Sequence, residues 1–318
     1  MSATETVGVD LGGTKLLVGV VDEGCAVHHR SVERSSGQTE DALMKMASRA
    51  ITDAIAVRPD ARAVGLGVPC TIDRERGVAI AAVNLPITDV PIAEILSQDI
   101  DLPLSIDNDA NLAALAEHCF GAARGADNVV MVTVGTGIGG GLILNGELYR
   151  GSIGAGAELG HTVIEMDGPR CQGSCPGRGC VESLASGTAM GREGSAAAQR
   201  EPDSALGKAL AAGTAIDGKV VTDAAIGGDT AAREVVELIG RRLGIALASF
   251  ANIFDPDVIV VGGGVAAAGD LLIGPAQAEI RDRALAPMNK TPVVVAQLGA
   301  DAGMIGAAAM ARLESEAQ

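Results

Sequence analysis

Aromatic side chains are nearly absent from this chain of 318 residues, which has three Phe, one Tyr and no Trp. Its cores must therefore be built from Ala, Val, Leu and Ile, the main apolar residues that remain. A ligand cannot be held mainly by stacking on aromatic rings, so we expect hydrogen bonds and charges to bind any small molecule. The length is typical of two domains, each able to bury a sizeable core.

Positive charge is also scarce, because 24 Lys and Arg stand against 40 Asp and Glu, a net charge of −16. Nucleic acid binding needs basic side chains for the phosphates, so no DNA or RNA partner is expected. No apolar run reaches the roughly 18 residues of a membrane span, and residues 1–5 lack the basic segment of a signal peptide. We expect a cytoplasmic protein without a membrane partner, whose six cysteines are thiols or metal ligands.

Short apolar strands alternate with helical segments along the chain, the pattern of an α/β protein. Residues 7–21 are predicted as strand, glycine-rich turn and strand, and residues 129–144 repeat this arrangement. The repeat favours a small N-terminal α/β domain over residues 1–117 and a larger α/β domain over residues 118–318. A closing helix over residues 303–313 is expected to pack back on the small domain.

Glycine-rich turns follow three apolar strands, at residues 10–15, 135–141 and 262–264. Glycine lets backbone N–H groups approach a phosphate closely, although each turn is also consistent with a simple tight hairpin. The second turn matches the dinucleotide spacing G-x-G-x-x-G, but a strand follows it where that fold requires a helix. A nucleotide site in which hairpin turns hold the phosphates remains.

His161 is followed by Cys171, Cys175 and Cys180 in the spacing H-x9-C-x3-C-x4-C. Three thiols and one imidazole make the closed tetrahedral set that structural zinc prefers. A disulfide with a spare thiol, or a redox pair, is the alternative, and the expected cytoplasmic setting favours zinc. The other three cysteines are isolated and are expected in the core or in loops.

These motifs, in this order, resemble those of the ROK family of bacterial sugar kinases over nearly the whole chain. The resemblance is carried by DLGGTK at residues 10–15, NDAN at 108–111, GTG at 135–137, ELGH at 158–161, the cysteine cluster, and GGG at 262–264. It implies a two-domain actin-like, ribonuclease-H-like ATPase fold with a cleft between the domains. It also implies ATP and Mg²⁺ as cofactors, a structural Zn²⁺, and a homo-oligomer, either a dimer or a tetramer.

Asp109 stands at the predicted start of a helix that runs to Phe120. Local sequence alone favours a helix N-cap for Asp107, Asn108 or Asp109. In similar ROK kinases the Asp of NDAN is the catalytic base, so the resemblance makes Asp109 the group that accepts the proton of the attacking hydroxyl. Both interpretations hold together if Asp107 or Asn108 caps the helix.

The resemblance assigns further residues to three sites. Those expected to bind the nucleotide and its Mg²⁺ are Asp10, Gly12, Gly13, Thr14, Lys15, Thr136, Gly137, Gly263 and Gly264. Those expected to bind the sugar are Asn84, Asn108, Asp109, Glu158, His161 and Glu182. The expected zinc ligands are His161, Cys171, Cys175 and Cys180, with a wider C-x3-C spacing than the C-x-C common in the family.

The implied activity is ATP-dependent phosphorylation of a hexose at its 6-hydroxyl, with glucose as the expected substrate. Two loops depart from similar glucokinases: Pro69 is followed by Cys70 rather than Gly, and Ile87 and Thr88 stand where a Gly and a Trp are frequent. The alternatives are a ROK kinase of N-acetylmannosamine, fructose, mannose or allose, and a non-catalytic sugar-sensing ROK protein. Polyphosphate is the alternative phosphate donor.

Overall fold

The computed structural model describes residues 4–82 and 85–317 of the chain. Strands and helices alternate along it. The strands are β1 (Glu5–Leu11), β2 (Lys15–Asp22), β3 (Val27–Arg34), β4 (Ala61–Val68), β5 (Cys70–Asp73), β6 (Val78–Ala82), β7 (Thr88–Val90), β8 (Leu104–Asn108), β9 (Val129–Val134), β10 (Ile138–Leu144), β11 (Glu147–Tyr149), β12 (Val258–Gly262) and β13 (Val293–Val295). The helices are α1 (Glu40–Val57), α2 (Ile92–Leu96), α3 (Asp109–Phe120), α4 (Val181–Ala185), α5 (Gly187–Arg200), α6 (Ala205–Ala211), α7 (Gly218–Ile226), α8 (Thr230–Phe254), α9 (Asp270–Arg283) and α10 (Ala302–Glu316).

The chain forms two compact units. The first contains the residues up to Arg124, the segment Leu148–Ala157, and the residues from Leu298 onward, so that it includes α10. The second contains Gly125–Glu147 and Glu158–Gln297. The sequence predicts a boundary near residue 117, whereas the first unit continues through the turn after α3. That turn stays with α3 because the N–H groups of Gly121 and Ala123 both donate to the carbonyl of Glu117.

The first unit is built on a five-stranded sheet with the order β3-β2-β1-β4-β8. β1 is antiparallel to β2 and parallel to β4, and β4 is parallel to β8. The carboxyl ends of β1, β4 and β8 therefore meet at one edge of the sheet. The strand register pairs Asp10 with Gly67, and Gly67 with Asp107. Parallel pairing thus brings together acidic residues that lie far apart in the sequence.

Helix α1 covers one face of this sheet, and Thr39 caps its first turn by accepting from Ala42 N, as the sequence predicts. Its apolar side, which includes Leu43 and Ile51, is fully buried in a core with β1, β2 and β4. Because apolar residues recur at helical spacing on one side of α1, burial of that side stabilises both the helix and the sheet. A second, three-stranded sheet with the order β5-β6-β7 was not predicted.

Helix α10 packs against β1, β4 and α3, and glycine makes this approach possible. A Cβ built at Gly8 would lie 2.0 Å from the carbonyl oxygen of Met304, and one at Gly65 would lie 1.9 Å from that of Ala307. At Gly306 a Cβ would lie 1.8 Å from the carbonyl oxygen of Leu112 in α3. Backbone therefore packs directly on backbone, which partly explains a chain with 43 glycines.

The second unit contains β9, β10, β12 and β13, in the order β10-β9-β12-β13. β9 and β10 form an antiparallel hairpin, and β12 runs parallel to β9 and β13. The predicted repeat of strand, glycine turn and strand is therefore confirmed in both copies, β1–β2 and β9–β10. Helices α4 to α9 pack against this sheet or against each other, and α8 packs along α9. No helix within residues 4–82 and 85–317 is long and apolar enough to span a membrane.

Candidate functional site

The first glycine turn joins β1 to β2 at the carboxyl end of β1. Its backbone is fixed by hydrogen bonds from Gly12 N to Lys15 O at 2.9 Å and from Ser35 Oγ to Gly12 O at 2.6 Å. Ser35 N also donates to Thr14 O at 3.1 Å. Because the carbonyls of Gly12, Thr14 and Lys15 all accept hydrogen bonds, the backbone of the turn is fixed. Thr14 at the tip is exposed.

Asp10 lies beside this turn, with Gly303 of α10 against its carboxylate. A Cβ built at Gly303 would lie 2.9 Å from Asp10 Cγ, so only glycine fits there. Burial, followed by the nearby charge of Asp109, raises the pKa of Asp10 to about 7, although the charge of Lys15 opposes both. Two carboxylates share a partly buried space with one lysine, and such a site favours a proton or a cation.

Helix α3 begins at the carboxyl end of β8, and Asn108 caps it. Asn108 Oδ1 accepts from Ala110 N at 2.9 Å and from Asn111 N at 3.2 Å, which confirms one of the predicted caps. Asp109 is then the first residue of the helix and is half-buried. Its Oδ1 accepts from Ala110 N at 2.9 Å, so the first turn, where the helix dipole favours a negative charge, orients the carboxylate.

Asp107, which the sequence suggests only as a possible cap, instead forms a buried network under Asp109. It is 1% exposed. Its Oδ1 accepts from Asn108 N at 2.8 Å and from Asn111 Nδ2 at 3.0 Å, and its Oδ2 accepts from Arg150 Nε at 2.5 Å. Arg150 comes from the later segment Leu148–Ala157. Local sequence carries no signal for this pair, since the two residues are far apart along the chain.

Cys70, which follows Pro69 where similar glucokinases have Gly, lies beside the cap of α3. Its carbonyl accepts from Asn108 Nδ2 at 3.3 Å, so the start of β5 contacts the cap of α3. Burial, with the charge of Asp109, raises the pKa of the Cys70 thiol to about 12. Cys70 is therefore a neutral thiol at neutral pH. Asn84, the remaining expected sugar ligand of the first unit, lies outside the described residues.

The second glycine turn joins β9 to β10 in the second unit, and the N-terminus of α5 supports it. Gly187 N donates to Gly135 O at 2.7 Å, and Thr188 Oγ1 donates to Thr136 O at 2.8 Å. A Cβ at Gly187 would lie 2.6 Å from Gly135 O, which explains the glycine. Ser186 caps this helix by accepting from Ala189 N, a recognisable start signal that was not predicted.

A cavity of about 800 Å³ opens beside this turn. Of the expected nucleotide residues it is lined by Thr136 and Gly264, together with Gly187, Asp217 and Val265, which were not predicted. Gly263 stands next to it with φ of +84°, a conformation that favours glycine. The size is that of a pocket for a ligand as large as a nucleoside. Its lining combines glycines and apolar side chains with charged ones, among them Arg192, Lys219 and Asp223.

The cysteine cluster forms a compact set of ligand atoms in the second unit. One atom from each of His161, Cys171, Cys175 and Cys180 lies within 4.8 Å of the others. His161 Nδ1 is 3.5 Å from Cys171 Sγ, about the edge of a tetrahedron with zinc–ligand distances near 2.1–2.3 Å. A Cβ at Gly177 would lie 2.9 Å from Cys180 Sγ, so the loop closes tightly on the set. The donor set therefore fits zinc.

Charge at the cluster favours the same interpretation. Burial raises the pKa of Cys171 and of Cys180, and each thiol is affected by the others. Three neighbouring thiolates would repel one another, and a divalent cation removes that repulsion while it deprotonates its thiol ligands. The other ring nitrogen of His161, Nε2, faces the exposed Glu158 with its Oε2 3.9 Å away. One ring nitrogen thus faces the cluster and the other faces a candidate sugar ligand.

The described candidate residues fall into two sets, one in each unit. The first unit holds Asp10, Gly12, Gly13, Thr14, Lys15, Asn108 and Asp109. The second unit holds Thr136, Gly137, Glu158, His161, Cys171, Cys175, Cys180, Glu182, Gly263 and Gly264. Members of both sets follow the carboxyl ends of strands, namely β1 and β8 in the first unit and β9 and β12 in the second, where ligands commonly bind in open α/β sheets. The rest of the second set lies between β11 and α4 or within α4.

Comparison with known proteins decides the family. The model of the ROK family matches residues 6–314. The chain belongs to the ROK family. Among its relatives, the glucokinase of Thermotoga maritima is 36% identical over 98% of both chains, and that of Streptomyces coelicolor is 38% identical over 96% of this chain and 97% of its own length.

Solved ROK structures agree with this assignment. A ROK glucokinase from Streptomyces griseus, crystallised with glucose and AMPPNP, superposes with a TM-score of 0.87 at 35% identity, covering 97% of this chain and 99% of its own. A ROK hexokinase from Thermus thermophilus gives a TM-score of 0.78 at 35% identity, covering 99% and 100%. The predicted family and the predicted two-domain actin-like ATPase fold of this ROK protein are both confirmed.

Proposed function

We propose that this ROK protein is an ATP-dependent glucokinase, which transfers the γ-phosphoryl group of ATP to the 6-hydroxyl of glucose. The observation that carries the proposal is full-length likeness to glucokinases at 35–38% identity, in the three relatives from Thermotoga and Streptomyces. The first glycine turn, Asp10 and Asp109 supply the chemistry that phosphoryl transfer needs: phosphate contacts, a cation site and a proton acceptor.

Asp109 accepts the proton of the 6-hydroxyl as that oxygen attacks the phosphorus. Its carboxylate is oriented by the first turn of α3 and by the hydrogen bond from Ala110 N. The helix dipole favours a negative charge at this position. A weak base suffices where the transition state is loose, since the hydroxyl proton then leaves late.

The two glycine turns bind the phosphates through backbone N–H groups. Gly12, Gly13, Thr14 and Lys15 act from the first unit, and Thr136 and Gly137 from the second. Gly263 and Gly264 lie along the adenosine, beside the cavity that Gly264 lines. Mg²⁺, when bound, neutralises phosphate charge, and Asp10 would hold it through water, which fits a carboxylate whose pKa is raised by burial and by Asp109.

The sugar is held by amide, carboxylate and imidazole groups, because the chain has almost no aromatic rings for stacking. The proposed ligands are Asn84, Asn108, Asp109, Glu158, His161 and Glu182. His161 Nε2 faces Glu158 while Nδ1 faces the cysteines, so zinc on the cluster would fix the imidazole for the sugar. The zinc role is structural, since four protein ligands leave no open coordination position.

A coupled assay over a panel of sugars tests the proposal. Glucose, mannose, fructose, allose and N-acetylmannosamine are each supplied with ATP, and glucose is also supplied with polyphosphate. We expect the highest kcat/KM with glucose and ATP. A higher value for another sugar or for polyphosphate would reassign substrate or donor, and sugar binding without turnover would indicate a sensor. Light scattering tests the proposed homo-oligomer, a dimer or a tetramer.

The role of Asp109 is tested by Asp109→Asn. We expect kcat to fall by roughly 10²–10⁴-fold, the usual contribution of a general base, while glucose affinity changes little because Asn keeps the shape and an oxygen acceptor. Asp101→Asn is the matched control, since Asp101 is an exposed acid on the loop before β8. Retained kcat in Asp109→Asn would remove the residue from this role.

A further inference from the structure

The second glycine turn presents two backbone N–H groups at its tip. Gly135 N closes the turn by donating to Gly137 O at 2.9 Å. Among the described residues, no acceptor is hydrogen-bonded to the N–H groups of Thr136 and Gly137. Successive N–H groups that point outward from a turn form a concave site for an anion. Their direction depends on how rigidly the rest of the turn is fixed.

The carbonyl side of this turn is fixed by α5. Gly135 O accepts from Gly187 N, and Thr136 O accepts from both the N and the Oγ1 of Thr188. These are the first N–H groups of α5, which have no partner within the helix itself. The turn therefore uses the start of α5 as a support, and its carbonyls cannot rotate toward the tip.

The amide side of the turn is fixed by Glu182. Glu182 Oε2 accepts from Ile138 N at 2.9 Å, at the first residue of β10. The same oxygen lies over Gly137, where a Cβ would be only 2.3 Å from it. Gly137 has no positive φ that would call for glycine. Its lack of a side chain is instead explained by the carboxylate packed on it.

Glu182 itself is held by the cysteine cluster. It lies two residues after Cys180, in the first turn of α4, and its Oε1 is 3.7 Å from Cys171 Sγ. A second link runs from the same loop to α5, since Gln172 Nε2 donates to the cap residue Ser186 at 3.0 Å. Both supports of the turn thus meet in the loop that carries the cysteines.

We propose that Glu182 is a positioning residue for the nucleotide: its carboxylate fixes the 135–138 turn so that the N–H groups of Thr136 and Gly137 face the phosphates. This role rests on the proposed function and is additional to the contact with sugar that the family resemblance implies. It links the cysteine cluster to nucleotide affinity through one hydrogen bond and one packing contact.

Calorimetric binding of AMPPNP with Mg²⁺, measured without sugar, tests the proposal. Glu182→Ala removes the acceptor for Ile138 N and should weaken AMPPNP by about tenfold, the effect of losing one hydrogen bond to a charged acceptor. Glu182→Gln keeps an oxygen acceptor and should restore affinity to within about threefold of the wild type. Glu165→Ala is the matched control, an exposed glutamate of the same loop.

A double-mutant cycle tests the packing contact. Gly137→Ala should weaken AMPPNP in the wild-type background, because its Cβ displaces the carboxylate, and should cost clearly less in the Glu182→Ala background. Unchanged affinity in Glu182→Ala, equal losses in Ala and Gln variants, or additive losses in the cycle would each overturn the proposal. If Glu182→Ala does not fold, the proposal is decided by comparing Glu182→Gln with Gly137→Ala, because only Gly137→Ala should weaken AMPPNP binding.

The test separates this inference from the proposed function. Wild-type protein that binds AMPPNP and phosphorylates glucose, with an unaffected Glu182→Ala variant, contradicts the positioning role alone. Wild-type protein that binds no AMPPNP contradicts the proposed function first. Zinc content and melting temperature, measured for every variant, identify any loss of affinity that follows from disruption of the cluster rather than of the turn.

Discussion

Replacement of Asp10 by Asn should change how the stability of the protein depends on pH. Burial and the charge of Asp109 raise the pKa of Asp10 from 3.8 to about 7 in the folded chain. The folded state therefore binds the proton more tightly than the unfolded state does. The stabilisation is fully present below about pH 4 and is lost as the pH rises through about 7.

The magnitude follows from the same two pKa values. Between pH 5 and pH 8 the linkage amounts to at most about 2.6 kcal/mol in the free energy of unfolding. Asp10 remains partly accessible to water, so we expect about half of this, roughly 1.3 kcal/mol. For a unit of this size that corresponds to about 3–5 °C in melting temperature.

Thermal unfolding of wild type and Asp10→Asn, both free of Mg²⁺, at pH 5, 6, 7 and 8 measures the effect. The melting temperature of the wild type minus that of the variant should fall by about 3–5 °C over this range. Asp101→Asn provides the baseline for the loss of one exposed charge. Added Mg²⁺ at pH 8 should raise the melting temperature of the wild type more than that of Asp10→Asn. A difference that stays constant with pH would refute the reasoning.

Three further predictions concern packing, the buried ion pair and the cluster. Gly244→Ala should destabilise the protein by about 2–3 kcal/mol, because its Cβ would lie 2.6 Å from a carbonyl oxygen of α9. Gly274→Ala, whose added Cβ would have no atom within 4 Å, should stabilise it by up to about 1 kcal/mol, as measured by urea titration. Asp107→Asn leaves the half-buried Arg150 without its charge partner and should cost about 1–2 kcal/mol, measured by thermal unfolding. Cys175→Ala should abolish zinc retention in elemental analysis, whereas an unchanged zinc content would remove Cys175 from the ligand set.

Much of the local structure could be predicted because it depends on neighbouring residues. Thr39 and the segment before α3 carry cap residues followed by helical periodicity, and both helices begin where expected. The spacing from His161 to Cys180 indicates a metal-binding set, and the structure brings the four ligand atoms together. The small sheet of β5, β6 and β7 was missed, since three short strands without a strong alternation give little signal.

Contacts between distant segments could not be predicted in this way. Asp107 has the same local signal as Asn108, yet Asn108 caps the helix and Asp107 pairs with Arg150. Glu182 reads in the sequence as an ordinary polar residue at the start of a helix, and nothing near it in the chain indicates its hydrogen bond with Ile138 N. The partners in both cases are brought into reach by strand order, which a local pattern does not contain.

The sequence by itself therefore determined the family, the glycine turns, the metal-binding spacing and the need for polar recognition in a chain with almost no aromatic rings. Tertiary structure alone decided what each glycine and each carboxylate does. The backbone of α10 leaves no room for a side chain at residue 65, and the carboxylate of Glu182 leaves none at residue 137. In the sequence, both positions are simply glycine. The pKa of Asp10 likewise depends on burial and on Asp109, since electrostatic energy is set by distance in space rather than by distance along the chain.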